Sequence, residues 1–190
     1  MKFILQVLSF NTISKGIMAL ITILLIRLVP SDEYALYIFI LSIMTIISQG
    51  LLSGVNRIYL LNFEKKISVN KRSLASSFLG FQILLVIIIS ILSIPFLLKD
   101  SKIYFLILVG VMSIGFIEYA KTIFQKDLKF MKFSLIEVSR NLFFLIGIIT
   151  IFLYLNMKVN AVGILLIQVI AFLIVGVYSL IGIVKIKDIF

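Results

Sequence analysis

The sequence has no cysteine and no histidine, and only eight of its 190 residues are acidic. Without cysteine there is no disulfide framework, no thiol nucleophile and no thiolate metal site. Without histidine the commonest metal ligand and the usual general base at neutral pH are missing as well. Neither a metal site nor a cofactor is therefore expected, and proton-coupled chemistry would fall to the few carboxylates. Charge is scarce overall: 14% of the residues are charged, against roughly 25% in soluble chains. A glycine-rich phosphate loop, an HExxH pair and the paired acidic motif of a membrane lipid transferase are also missing, so nothing points to an enzyme.

What is abundant is apolar surface. Hydrophobic residues make up 62% of the chain, and the mean hydropathy is +1.25. So few charged groups cannot cover a soluble domain of this size, whereas lipid accepts apolar side chains. At about 20 residues per crossing, the chain supplies about six helices and short connections, with no room for a soluble domain. Barrel strands would alternate every second residue over about ten, and these runs are continuous. The expected fold is all-α, a polytopic membrane protein forming a single transmembrane domain over residues 1–190.

Polar punctuation divides the apolar runs into predicted helices at roughly 10–29, 34–55, 72–98, 103–124, 134–155 and 161–184. Pro30-Ser31-Asp32-Glu33 ends the first helix and caps the second. Pro95 falls near the outer end of the third, where a lost hydrogen bond is tolerated. Residues 125–133 read as a basic, amphipathic link between the fourth and fifth helices. No small-residue cleavage site follows the N-terminal run, which Asn11 and Lys15 interrupt, so the first helix is expected to stay as an anchor.

The cations set an expected orientation. The second-to-third connection holds Arg57, Lys65, Lys66, Lys71 and Arg72, and the fourth-to-fifth holds Lys121, Lys126, Lys129 and Lys132. With Lys2, Lys185 and Lys187 that side carries twelve, against Lys99, Lys102 and Lys158 on the other. Positive-inside bias makes the richer side cytoplasmic and places both termini there. The net charge of +10 is thus read as topology and attraction to anionic headgroups; no nucleic-acid partner is expected.

Polar groups at membrane depth are costly and mark either a packing seam or a water-filled cavity. Asn11, Lys15 and Thr22 share one face of the first helix, with Arg27 near its outer end. On the second helix Ser42, Thr45, Gln49, Ser53 and Asn56 follow at spacings of three, four, four and three, a continuous stripe beside Gly50 and Gly54. Close-packing glue and a polar cavity both fit this stripe; two full amides favour the cavity. The fifth helix opens with Ser134, Glu137, Arg140 and Asn141, either a solvated helix end or a charged mouth that holds an anionic headgroup. Glu118, three residues before Lys121, presents the same choice, and Gln82 and Gln168 read as packing amides.

The run Leu28-Val29-Pro30-Ser31-Asp32-Glu33-Tyr34-Ala35-Leu36-Tyr37 resembles the first interhelical loop of bacterial polysaccharide exporters. Ala35 stands where that family usually has glycine. Gly54-Val55-Asn56-Arg57 is similar to the family's glycine and following arginine at the end of helix two. Phe124-Gln125-Lys126-Asp127-Leu128-Lys129-Phe130 resembles its link between helices four and five, and Val162-Gly163 the start of helix six. The resemblance is diffuse and spans the whole chain, which would correspond to one lobe, the N-terminal half, of a 12- to 14-helix flippase. It implies a member of the multidrug/oligosaccharidyl-lipid/polysaccharide exporter superfamily that moves undecaprenyl-pyrophosphate-linked O-antigen or capsule repeat units across the membrane. One lobe offers one wall to such a substrate, so a truncated or split form, or pairing with a second half-transporter or a second copy, is expected.

On this reading Lys15, Arg27, Arg57 and Arg140 would replace the hydration of the pyrophosphate, while Asn11, Gln49, Asn56 and Asn141 meet sugar hydroxyls and Glu137 lies at the mouth. Arg57→Ala, and less strongly Arg27→Ala, would then abolish export. The alternatives are a drug or ion antiporter of the same superfamily, using Glu118 or Glu137, and a non-transporting membrane scaffold or assembly partner.

Overall fold

A computed structural model describes residues 2–52, 54, 56, 76–88, 101–152 and 160–181. The helices are α1 (Lys2–Leu28), α2 (Ser31–Ile47), α3 (Ser76–Ile88), α4 (Ser101–Lys126), α5 (Phe130–Thr150) and α6 (Ala161–Leu180). A π-helical turn, Ser48–Leu52, extends α2. The fold is all-α, with no strand among the described residues. Five segments of 20 to 25 residues, Val7–Leu28, Ser31–Gly50, Lys102–Lys126, Phe130–Thr150 and Ala161–Leu180, are long and apolar enough to cross a membrane. At about 1.5 Å per residue they match a hydrocarbon core of about 30 Å. The α3 segment is a shorter apolar helix, and the rest of the expected 72–98 span lies outside the described residues.

The chain is a membrane protein built inside out relative to a soluble bundle. Ile21, Leu25, Met44, Ile117, Phe144 and Leu165 form its centre, while Leu20, Phe39, Ile46, Phe105 and Ile170 face outward, where lipid replaces water as their solvent. The main seams join α4 to α6 and α1 to α5, with α5 against α6 closing the set. Gly147 lets α5 approach α6, because a Cβ there would run into the Ile167 γ-methyl.

Local chemistry fixes the helix ends. Asp32 and Glu33 sit in the first turn of α2, where carboxylates meet the positive end of the helix dipole. The Asn160 side chain accepts from Gly163 N–H at 2.9 Å, and Glu33 reaches across to accept from Ala161 N–H at 2.7 Å. The α6 start is thus capped by its own amide and by a carboxylate from α2, whereas α2 follows Pro30 with no side-chain cap. At the other end of the bundle α4 runs on to Lys126 and stops in a Schellman turn. Lys129 N–H donates to Phe124 O at 2.8 Å and Leu128 N–H to Gln125 O at 3.1 Å, with Leu128 in the left-handed region at φ 55°. So sharp a reversal leaves no linker of 125–133: its first residues finish α4, and α5 begins at Phe130 instead of about 134.

Candidate functional site

A cavity of about 650 Å³ lies inside the helical bundle. It occupies the half of the bundle nearer the α4–α5 turn and reaches past mid-depth. On the α2 side its wall is Leu41, Thr45, Ser48, Gln49 and Asn56; α4 supplies Ile114, Glu118, Lys121 and Thr122. Arg140 and Asn141 come from α5, Gln168 and Phe172 from α6, and Met18 from α1. Most of these side chains carry a polar group, although each helix is apolar enough to span lipid.

The π turn shapes the α2 wall. Thr45, Gln49 and Asn56 of the expected stripe reach the cavity, joined by Ser48, three residues after Thr45 and bonded to its carbonyl. Ser42 is exposed and donates to Ile38 O, and Ser53 lies outside the described residues. Asn56 is buried and accepts from Gln82 Nε2 of α3 at 2.5 Å, so the amide that lines the cavity is also held from behind.

The charged part is a three-residue cluster. Lys121 Nζ lies 2.9 Å from Glu118 Oε1 and 2.6 Å from Glu137 Oε1, joining α4 to α5. It also sits 5.0 Å from the Phe133 ring centroid. The lysine side chain is 11% exposed, Glu137 26% and Glu118 42%, so Glu118 is the member most open to the cavity. Charge-assisted bonds on both sides satisfy an ammonium that membrane depth would otherwise penalise. Arg140, one turn beyond Glu137, lies 5.0 Å over the Phe172 ring and 3.4 Å from Asn141 Oδ1. Among the described residues it has no carboxylate within ion-pairing distance. The cavity therefore holds one cation already neutralised and one whose planar donor fork is open to an incoming anion.

Two further contacts fix the frame. Asn141 donates to Ser14 O and Ser14 Oγ, both at 3.0 Å, pinning α5 to α1. Tyr37 O–H donates to Gln168 Oε1 at 3.0 Å, pinning α2 to α6 at the cavity floor. All three bonds are buried, and their weight is positional: they fix which face each helix turns to the cavity.

The structure therefore gathers Gln49, Asn56, Arg140 and Asn141 around one cavity and sets Glu137 against its wall through Lys121. Lys15 and Arg27 are exposed and Asn11 is half-buried; none of the three lines the cavity. The rotation of α1, which turns Ser14, Met18, Ile21 and Leu25 inward, sets Lys15 aside; Asn11 stays on the inward side but two turns nearer the helix start than Met18, the α1 residue that lines the cavity. Arg57 lies outside the described residues. Lys121, counted above among the loop cations, is instead a buried residue of α4, and Gln168 both packs and lines the site. The cluster's one legible signal was Glu118 and Lys121 at i and i+3 in an apolar helix; its meeting with Glu137 depends on how α4 and α5 pack. Among the described residues no group of three or more His, Cys, Asp or Glu is placed to hold a metal ion. Comparison with known protein families, with curated proteins and with solved structures finds no match for this chain.

Proposed function

We propose that this protein is one lobe of a transporter that flips lipid-linked oligosaccharide repeat units across a bacterial cytoplasmic membrane, for surface polysaccharide such as O-antigen or capsule. The observation that carries the reading is Arg140: a guanidinium in a cavity at membrane depth, braced by Phe172 and, among the described residues, with no carboxylate in direct contact. A pyrophosphate linker crossing hydrocarbon unaided would face tens of kcal/mol by a Born estimate, and a bidentate guanidinium offsets part of that. Gln49, Asn56 and Asn141 supply amides for sugar hydroxyls on the same walls. A lone lobe gives a bulky substrate one wall, so the working unit includes a second half-transporter or a second copy. The cation-rich connections and both termini then face the cytoplasm.

The test is complementation of a strain lacking the gene, scored by surface polysaccharide. Arg140→Ala abolishes export while membrane abundance stays at the wild-type level, and Arg27→Ala, outside the cavity, exports normally. Normal polysaccharide from Arg140→Ala would sink the proposal. A second reading, cation or drug antiport in the same superfamily, draws on the partly exposed Glu118 at the cavity wall. Sensitivity of the deletion strain to cationic dyes, with surface polysaccharide unchanged, would favour it.

A further inference from the structure

A second cavity, of about 590 Å³, lies outside the charged site between the end of α4, the first half of α5 and the end of α6. Phe124 borders it on α4; Leu135, Ser139 and Phe143 line it on α5, and Ile174 and Tyr178 on α6. It is mostly apolar, and its rim faces outward: Tyr178 is 76% exposed and Phe143 45%. A water-filled apolar groove on a membrane-facing surface is unfavourable, so in the bilayer a lipid chain occupies it.

The polar groups are not spread evenly along it. Lys132 is the cation that lines the groove, with Nζ 5.7 Å from the Phe124 ring centroid. It stands at the end marked by the α4–α5 turn, where residues 126–132 carry Lys126, Lys129 and Lys132 against the single acid Asp127. Asp127 pairs with Lys129 at 2.9 Å, not with Lys132. The α5 N-terminus at this point has no acidic residue in its first turn, but α4 and α6 both end beside it, so the positive potential of the mouth comes from the lysines. From Lys132 to Phe143 the groove follows α5 for about 16 Å at 1.5 Å per residue, close to half of a hydrocarbon core of about 30 Å. A headgroup-depth cation followed by one leaflet's depth of apolar groove is the shape of a phospholipid.

We propose that this groove is a binding site for one anionic diacyl phospholipid. Its phosphate is held at Lys132, and one acyl chain runs between α5 and α6 towards Phe143. A zwitterionic lipid would bring its own cation to a mouth that is already basic, so the site discriminates by headgroup charge. The volume falls in the range of about 300–1,000 Å³ usual for ligand pockets.

The test uses the full chain reconstituted in nanodiscs of equal phosphatidylglycerol and phosphatidylcholine with matched acyl chains, then released for native mass spectrometry. Wild type retains phosphatidylglycerol with roughly fivefold preference, the factor expected for one lysine near the membrane surface. Lys132→Gln reduces that preference to none, and Lys132→Arg keeps it. Ser139→Trp, which fills the groove and leaves the lysine, loses both lipids; circular dichroism checks that each variant keeps its helical content. Equal retention of the two lipids by wild type, a preference that survives Lys132→Gln, or undiminished retention by Ser139→Trp would each overturn the proposal.

Discussion

Replacing Lys121 by methionine removes the cation that two carboxylates share. The pairs lie at 2.6–2.9 Å, where unit charges attract by about 6 kcal/mol at an effective dielectric near 20. Most of that attraction is offset by the desolvation of the ammonium, so the pairs contribute little net stability compared with an apolar replacement of all three groups. Removing one partner is a different perturbation: it strands the other charge, which costs about 3–5 kcal/mol where that charge is fully buried and less where it is partly exposed. Glu118 is 42% exposed and screened, so its share is below about 1 kcal/mol; Glu137, at 26%, carries more. Lys121→Met should therefore lose about 3 kcal/mol, Glu137→Gln about 2, and Glu118→Gln under about 1. Neutralising Glu137 in the Lys121→Met background should recover part of the loss, since the stranded carboxylate is then gone. Reversible unfolding in mixed micelles, followed by circular dichroism, measures the four values. A Lys121→Met loss below about 0.5 kcal/mol, as at an ordinary surface site, or strict additivity in the double variant, would refute the reasoning.

Two more outcomes follow from the backbone. Leu128 is an exposed non-glycine residue at φ 55°, so Leu128→Gly at this left-handed helix terminus should stabilise the protein by about 1 kcal/mol in the same unfolding measurement. Gly147→Ala should destabilise by about 1–3 kcal/mol, because the β-branched Ile167 it meets cannot swing aside; an unchanged unfolding midpoint would show that α5 and α6 can separate without loss.

The class of fold was readable from hydropathy because a membrane span has to be a continuous apolar run, and the spans containing α1, α2, α4, α5 and α6 each satisfy that length. Their ends were less readable. The α4 terminus is set by a Schellman turn on a leucine, and no glycine announced it. On α2 the polar stripe pointed to the cavity because Thr45, Gln49 and Asn56 recur near the helical period, and periodicity survives folding. On α1 the same reasoning picked Asn11 and Lys15, but core contacts at Ile21 and Leu25 turn Lys15 outward, and Asn11, though half-buried, lies nearer the helix start than the cavity reaches. Gln168 was read as packing because a lone amide in an apolar helix has no visible partner in sequence; its partner, Tyr37, is on α2, far away along the chain. The Glu118–Lys121–Glu137 cluster was half visible as an i, i+3 pair and became a cluster through the packing of α4 on α5.

The central claim is a water-filled polar cavity inside a membrane-spanning bundle, and the absence of native cysteine makes it directly measurable. Single cysteines at Gln49 and Thr122, which line the cavity, are compared with single cysteines at the outward-facing Ile46 and Phe105, using a charged thiol reagent added to both faces of the membrane in inside-out and right-side-out vesicles. Such a reagent needs water to reach and ionise the thiol. Labelling of Gln49→Cys and Thr122→Cys, with Ile46→Cys and Phe105→Cys unreactive, is the predicted result. Equal reactivity at all four positions, or no labelling at the two cavity positions, would contradict the account.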